Sequence, residues 1–262
     1  MSETIQPIES LPPAARGPVR LFDLFVPLLT TLVWFAVLFG AAFAAGLIGK
    51  ITGFDAKSFF TGLPKNFVGA QIFMATIYFA MLVGIWQVAR RHGPSTLAGY
   101  FARVPRRTIL LAIFSGMLLA GIVIAVVSWL EQSGVVAFHT TAKEELLLEA
   151  HGPWQLLLSF SVIAIIAPFV EELYFRGLLL AWLRRWLALP LAGLLNAALF
   201  ALVHGRFVDH PGLEGLVLTL VVGSVGLLNV VWFARTRSLW PPVATHAFYN
   251  GTLLLVTFFS GT

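Results

Sequence analysis

Two adjacent carboxylates and an arginine interrupt an apolar run that reads Ile165-Ile166-Ala167-Pro168-Phe169-Val170-Glu171-Glu172-Leu173-Tyr174-Phe175-Arg176-Gly177. A charge near the centre of a bilayer costs about 2.5–3.5 kcal/mol on insertion scales, so three must pair or face a wet cavity. Glu172 and Arg176 stand at i and i+4 with the acid first, the favoured order for a helical ion pair. Glu171 is turned by about 100° and lies off that stripe. One glutamate is thus neutralised locally while the other projects elsewhere, where it can serve as a general base. By themselves these three residues are equally compatible with a structural charge network. Two further apolar runs carry polar groups. Phe200 and His204 share one helical face, and His246 and Asn250 share another. A lone intramembrane histidine is most often an interhelical hydrogen-bonder. Two histidines, an asparagine and two glutamates on three helices form a constellation suited to catalysis. His92, His139, His151 and His210 fall in loops or at span ends and read as solvated.

The elements that must hold these groups are membrane spans. The chain has 262 residues, 58% hydrophobic and 11% charged, with a mean hydropathy of +0.88. Soluble domains carry roughly 25% charged residues. The deficit excludes a soluble globular enzyme, a disordered chain and a nucleic-acid binder. A spanning helix needs about 20 mostly apolar residues. Seven runs qualify, over 25–49, 67–88, 110–130, 154–183, 189–203, 213–233 and 239–259. An eighth, amphipathic helix has room between Glu131 and Pro153. The expected fold is therefore an all-α polytopic bundle of seven or eight helices, with a tail at 1–20 and a transmembrane domain over 21–262. The run after the Pro-rich tail exceeds the 7–15 residues of a signal-peptide core, and it reads as a retained first span.

Alternate loops carry eleven basic residues on one side, including Arg90, Arg91, Arg103, Arg106 and Arg107, against five on the other. The positive-inside bias predicts a cytosolic N-terminus. Seven tryptophans near span ends fit an interfacial belt. The absence of cysteine excludes disulfides, thiol nucleophiles and Cys-ligated metal. In the third span, Ala112, Gly116 and Ala120 form small-xxx-small pairs of the kind that mark packing within one chain.

Glu171-Glu172-x-x-x-Arg176, Phe200-x-x-x-His204 and His246-x-x-x-Asn250, in this order on separate helices, resemble the CPBP family. These are the type II CAAX prenyl proteases and their bacterial relatives, also called bacteriocin-processing or abortive-infection proteins. The resemblance covers 154–259 and leaves the first three spans without a motif. It implies intramembrane peptide hydrolysis by a glutamate-activated water, in the inner membrane of a bacterium. The substrate would be a peptide or protein, membrane-bound or lipidated. Carried over, Glu171 is the general base, His204 shares or positions the water, and His246 and Asn250 donate to the oxyanion. Glu172 and Arg176 brace the site. Glu171, His204 and His246 could also supply three ligands to a divalent metal such as zinc, with water as the fourth. No His-Glu-x-x-His helix is present, and both a metal-bound and a metal-free site fit these residues. Two other classes compete: a transporter or proton relay, which would use the same groups as relay sites, and a non-catalytic membrane scaffold or chaperone.

Depth sets a condition on any such site. Measured along straight helices, Glu171 lies about 20 Å from the cytosolic end of its span and His246 only about 10 Å. Pro168 and Pro241-Pro242 mark where the chain can kink or start deeper.

Overall fold

The computed structural model describes residues 19–52, 67–92, 100–139 and 152–260, and among these it is helical without strands. Seven long helices follow one another: α1 Leu21–Thr52, α2 Phe67–His92, α3 Arg106–Gln132, α4 Pro153–Leu183, α5 Leu189–Val203, α6 Leu213–Thr236 and α7 Trp240–Ser260. A single turn of helix, Arg206–Asp209, sits between α5 and α6. Six helical segments are long and apolar enough to cross a membrane, the one at α5 when it is taken through to Asp209, and the protein is a multi-pass membrane protein. The helix not among those six is α7, as long as its neighbours but diluted by Thr245, His246, Tyr249 and Asn250. The eighth helix considered between Glu131 and Pro153 falls mostly on 140–151, outside the described residues, as does most of the tail.

Side-chain hydrogen bonds tie α4 to five other helices. Tyr174 Oη donates to Leu24 O of α1 at 3.2 Å, and Gln71 Nε2 of α2 donates to Ser159 Oγ at 3.1 Å. Asn196 of α5 donates to Phe175 O at 2.8 Å, Arg176 donates to Gly226 O of α6, and Asn250 of α7 donates to Ile163 O at 3.0 Å. Lipid offers no hydrophobic drive between helices, so such bonds and close packing must hold the bundle. Each is worth roughly 0.6 kcal/mol on average.

The seam between α3 and α7 shows the packing half of that argument. Ala112, Gly116 and Ala120 are the buried residues of α3. A Cβ at Gly116 would lie 2.2 Å from the carbonyl oxygen of Thr245, so the two backbones touch only because position 116 has no side chain. The hydroxyl of Thr245 donates to Ala112 O at 3.0 Å across the same seam. The turn before α7 is buried as well. Ser238 and Leu239 are fully covered, and they bond Ala102 O and Tyr100 O. α7 therefore starts beneath the connection that precedes α3, which lets His246 reach the depth of Glu171 from only six residues into its helix.

Two histidines differ from the sequence reading. His92 is buried and its Nε2 meets Asp23 Oδ2 at 2.8 Å, joining the ends of α1 and α2. His210 is buried against Glu214 at 2.9 Å. Each has a carboxylate partner at the end of a neighbouring helix, at positions where hydropathy alone marks only a loop boundary.

Candidate active site

The local shape of α4 begins with Pro168. Proline has no N–H and cannot continue a regular ladder. The turns before it, Phe160–Ile166, widen into a π-helix, and a second π-helical stretch, Leu173–Leu179, follows the short α-helical segment Ala167–Glu172. Wide turns of this kind occur frequently at functional sites. In the first, the N–H of Ala167 bonds Val162 O. The next nitrogen belongs to Pro168 and has no hydrogen, so Ile163 O loses its helical donor. The Asn250 amide supplies one at 3.0 Å. Asn250 thus directs an N–H to the α4 backbone, where the family resemblance led us to expect a donor to the oxyanion. The physical reason is the carbonyl that Pro168 orphans.

Glu172 and Glu171 point in different directions, and their surroundings differ accordingly. Glu172 is fully buried and its Oε1 accepts three hydrogen bonds: Arg176 Nη1 at 2.9 Å, Asn229 Nδ2 at 2.8 Å and His246 Nδ1 at 2.9 Å. Arg176 is also fully buried and spends a second donor on Gly226 O. A Cβ at Gly226 would meet the Phe200 ring at 3.0 Å, so glycine there allows α6 to bring its carbonyl up to the guanidinium. An ion pair removed from water is tolerable only with such additional hydrogen bonds.

Glu171 is only partly buried. Its Oε1 accepts from the Tyr78 hydroxyl at 2.6 Å. Its Oε2 lies 3.9 Å from His204 Nε2 and 3.9 Å from His246 Nε2. The other nitrogen of each ring has an oxygen partner: Phe200 O at 2.7 Å for His204 and Glu172 Oε1 for His246. Both partners accept, so each Nδ1 carries a hydrogen, and each ring turns its Nε2 toward Glu171. Phe200 is the floor of this arrangement. Its ring centroid lies 4.7 Å from that of His204 and 5.5 Å from that of His246, and the Arg176 guanidinium sits 4.9 Å from it. The cluster is enclosed on the His246 side, where 3% of the side chain is exposed, and opens on the His204 side, where 29% is.

Two Nε2 atoms and a carboxylate are donors of the type that zinc takes, and both rings have the oxygen partners that orient such ligands. In this structure the separations of 3.9 Å are wider than a bound zinc would impose. Atoms sharing a tetrahedral zinc sit about 3.3 Å apart, from bond lengths near 2.05 Å. Among the described residues no three His, Cys, Asp or Glu stand close enough to hold a metal. Two acceptors 3.9 Å apart suit a shared water instead, since hydrogen bonds of about 2.8 Å to both subtend roughly 90° at its oxygen.

The structure therefore brings together Glu171, His204 and His246, joins Glu172 to Arg176 and His246, and turns Asn250 toward the α4 backbone. Sequence reasoning missed Tyr78, Asn196 and Asn229. Asn196 and Asn229 are fully buried polar residues inside α5 and α6, and an amide inside an apolar span was the available signal. For Tyr78 the signal was a seven-residue spacing, Gln71, Tyr78, Ile85 and His92, one face of α2 and all buried.

No curated protein and no solved structure matches this chain. The segment that carries the site does have a match. Residues 153–252, rather less than half of the chain, match the family model for type II CAAX prenyl endopeptidase Rce1-like proteins, and the matched segment contains Glu171, Glu172, Arg176, His204, His246 and Asn250.

Proposed function

We propose that this protein is an intramembrane endopeptidase in which Glu171 activates a water for attack on a peptide bond. The observation that carries the proposal is the pair of 3.9 Å separations between Glu171 Oε2 and the two histidine Nε2 atoms. A water among them donates one hydrogen to Glu171 Oε2 and the other to His204 Nε2, with a lone pair left for the scissile carbonyl carbon. As the C–O bond forms, the first proton passes to Glu171 and the carbonyl electrons move onto its oxygen. Collapse of this intermediate breaks the C–N bond, and the proton held by Glu171 goes to the leaving nitrogen. His246 is positioned to donate to the oxyanion when it carries a second proton on Nε2. Such donors in a water-poor site are worth about 2.7–4 kcal/mol each. Glu172 fixes the orientation of His246, and Arg176 and Asn229 fix Glu172. Asn250 contributes by holding the widened turn of α4 that aims Glu171.

The substrate class we assign is a membrane-bound or lipidated peptide or protein, cleaved in a bacterial inner membrane in which the N-terminus faces the cytosol. The decisive experiment is E171Q in proteoliposomes with a fluorogenic membrane peptide. Cleavage should fall to background while the variant stays folded and monodisperse. Retained cleavage removes Glu171 as the base. Substrate-dependent ion flux that E171Q abolishes, without peptide cleavage by the native protein, would favour the transporter reading. A stoichiometric partner retained with full function in H204A would favour a scaffold. The orientation of both Nε2 atoms toward a carboxylate supports a second reading, in which the same three residues close around a zinc-type ion. Metal analysis of the purified active protein decides between the two. The water-only site predicts less than about 0.1 metal per chain and activity that survives chelation, while an ion held by all three residues would approach one.

A further inference from the structure

We propose that Tyr78, from the part of the chain outside the family match, is the positioning residue that selects which oxygen of Glu171 reacts. This rests on the reading of Glu171 as the base. A carboxylate has two equivalent oxygens and a three-torsion side chain, so a base in a partly open site needs something to hold it. An ionised carboxylate only accepts, and the phenol at 2.6 Å therefore donates to Oε1. With Oε1 held, Oε2 is the atom presented to His204 and His246. Glu172 needs no such help, since it already accepts from Arg176, Asn229 and His246.

The hydroxyl is itself held in place. Tyr78 is 9% exposed, on the buried heptad face of α2. Seven residues before it, Gln71 bonds Ser159 on α4, the helix that carries Glu171. Two turns of helix beyond Ile85, His92 bonds Asp23 of α1. Both ends of α2 are thus pinned by polar contacts, and the tyrosine lies between them, so that its distance to Glu171 is set by helices and not by a loop. A buried phenol usually finds a hydrogen-bond partner. What distinguishes positioning from mere satisfaction is that removing the hydroxyl should slow the chemistry without changing substrate binding.

The test compares the native protein, Y78F and E171Q on one membrane peptide. Y78F should lower kcat by about 10–100-fold, a part of the roughly 10²–10⁴-fold that a general base supplies, with KM changed less than about twofold. The carboxylate stretch assigned to Glu171 by its absence from E171Q should shift in Y78F. Inactive E171Q beside fully active Y78F, or an unshifted band, overturns the role of Tyr78 and leaves the proposed base intact. Active E171Q instead overturns the base, whatever Y78F does. Should Y78F fail to fold, 3-fluorotyrosine at position 78 keeps ring and hydroxyl while making the O–H more acidic. A change in kcat together with a shifted band supports the proposal, and neither changing overturns it.

Discussion

Two clusters, one around Glu171 and one around Glu214, each contain two histidines and one glutamate, and only one of them leaves a gap between the carboxylate and both rings. In the first, Glu171 Oε2 faces His204 and His246 across gaps of 3.9 Å, and the second nitrogen of each ring is bonded to a different group. In the second, Glu214 bonds its partners directly: the backbone N–H of His139 at 2.7 Å, His210 Nδ1 at 2.9 Å and His139 Nδ1 at 3.3 Å. The second cluster is closed. Its carboxylate is consumed in holding the segment after α3 against the start of α6. The first leaves a carboxylate oxygen and two ring nitrogens facing each other with room for a reacting molecule. Residue type does not separate the two. What separates them is whether the histidines bond the carboxylate directly or face it across a gap.

Five substitutions break or sharpen this contrast. The largest effect belongs to E171Q, which should reduce peptide cleavage by about 10⁴-fold, the upper range for loss of a general base, in a direct turnover assay. H204Q and H246Q come next, at about 10²-fold each in kcat, and H246Q should also loosen the Glu172 network that its Nδ1 completes. In single-turnover measurements both defects should appear in the chemical step. Asn250→Leu is smaller. It leaves Ile163 O without a donor next to Pro168, so we expect roughly a tenfold loss of kcat and about 1–3 kcal/mol of stability, read by unfolding in detergent. The smallest effect on turnover falls in the closed cluster. E214Q should leave cleavage within about twofold of the native rate while costing about 1–2 kcal/mol of stability. A large loss of turnover in E214Q would show that the two clusters are not functionally separate.

Much of the site was legible before any coordinates. Charges inside an apolar run stand out because lipid penalises them, and the i, i+4 rule paired Glu172 with Arg176 and freed Glu171. The small-residue pattern of α3 marked a close helix contact because only backbone atoms can fill it. Tyr78 was harder to read, since a tyrosine in a span is also what an interfacial anchor looks like. Asn229 and Asn196 are single amides in otherwise apolar helices, with no local pattern to name a partner. Asn250 was legible as a polar group facing inward, but its bond to Ile163 depends on a carbonyl orphaned 87 residues away in sequence.

Composition and periodicity alone determined that this is a helical membrane protein with buried carboxylates and imidazoles on three of its spans. They did so because lipid tolerates few uncompensated charges, and because each helix orders its side chains locally. Which nitrogen of each histidine faces Glu171, which glutamate stays open, and that α2 contributes Tyr78 were decided only by the tertiary structure. Those choices depend on donors and acceptors from separate helices meeting at 2.6–3.9 Å, and nothing within a single span specifies them.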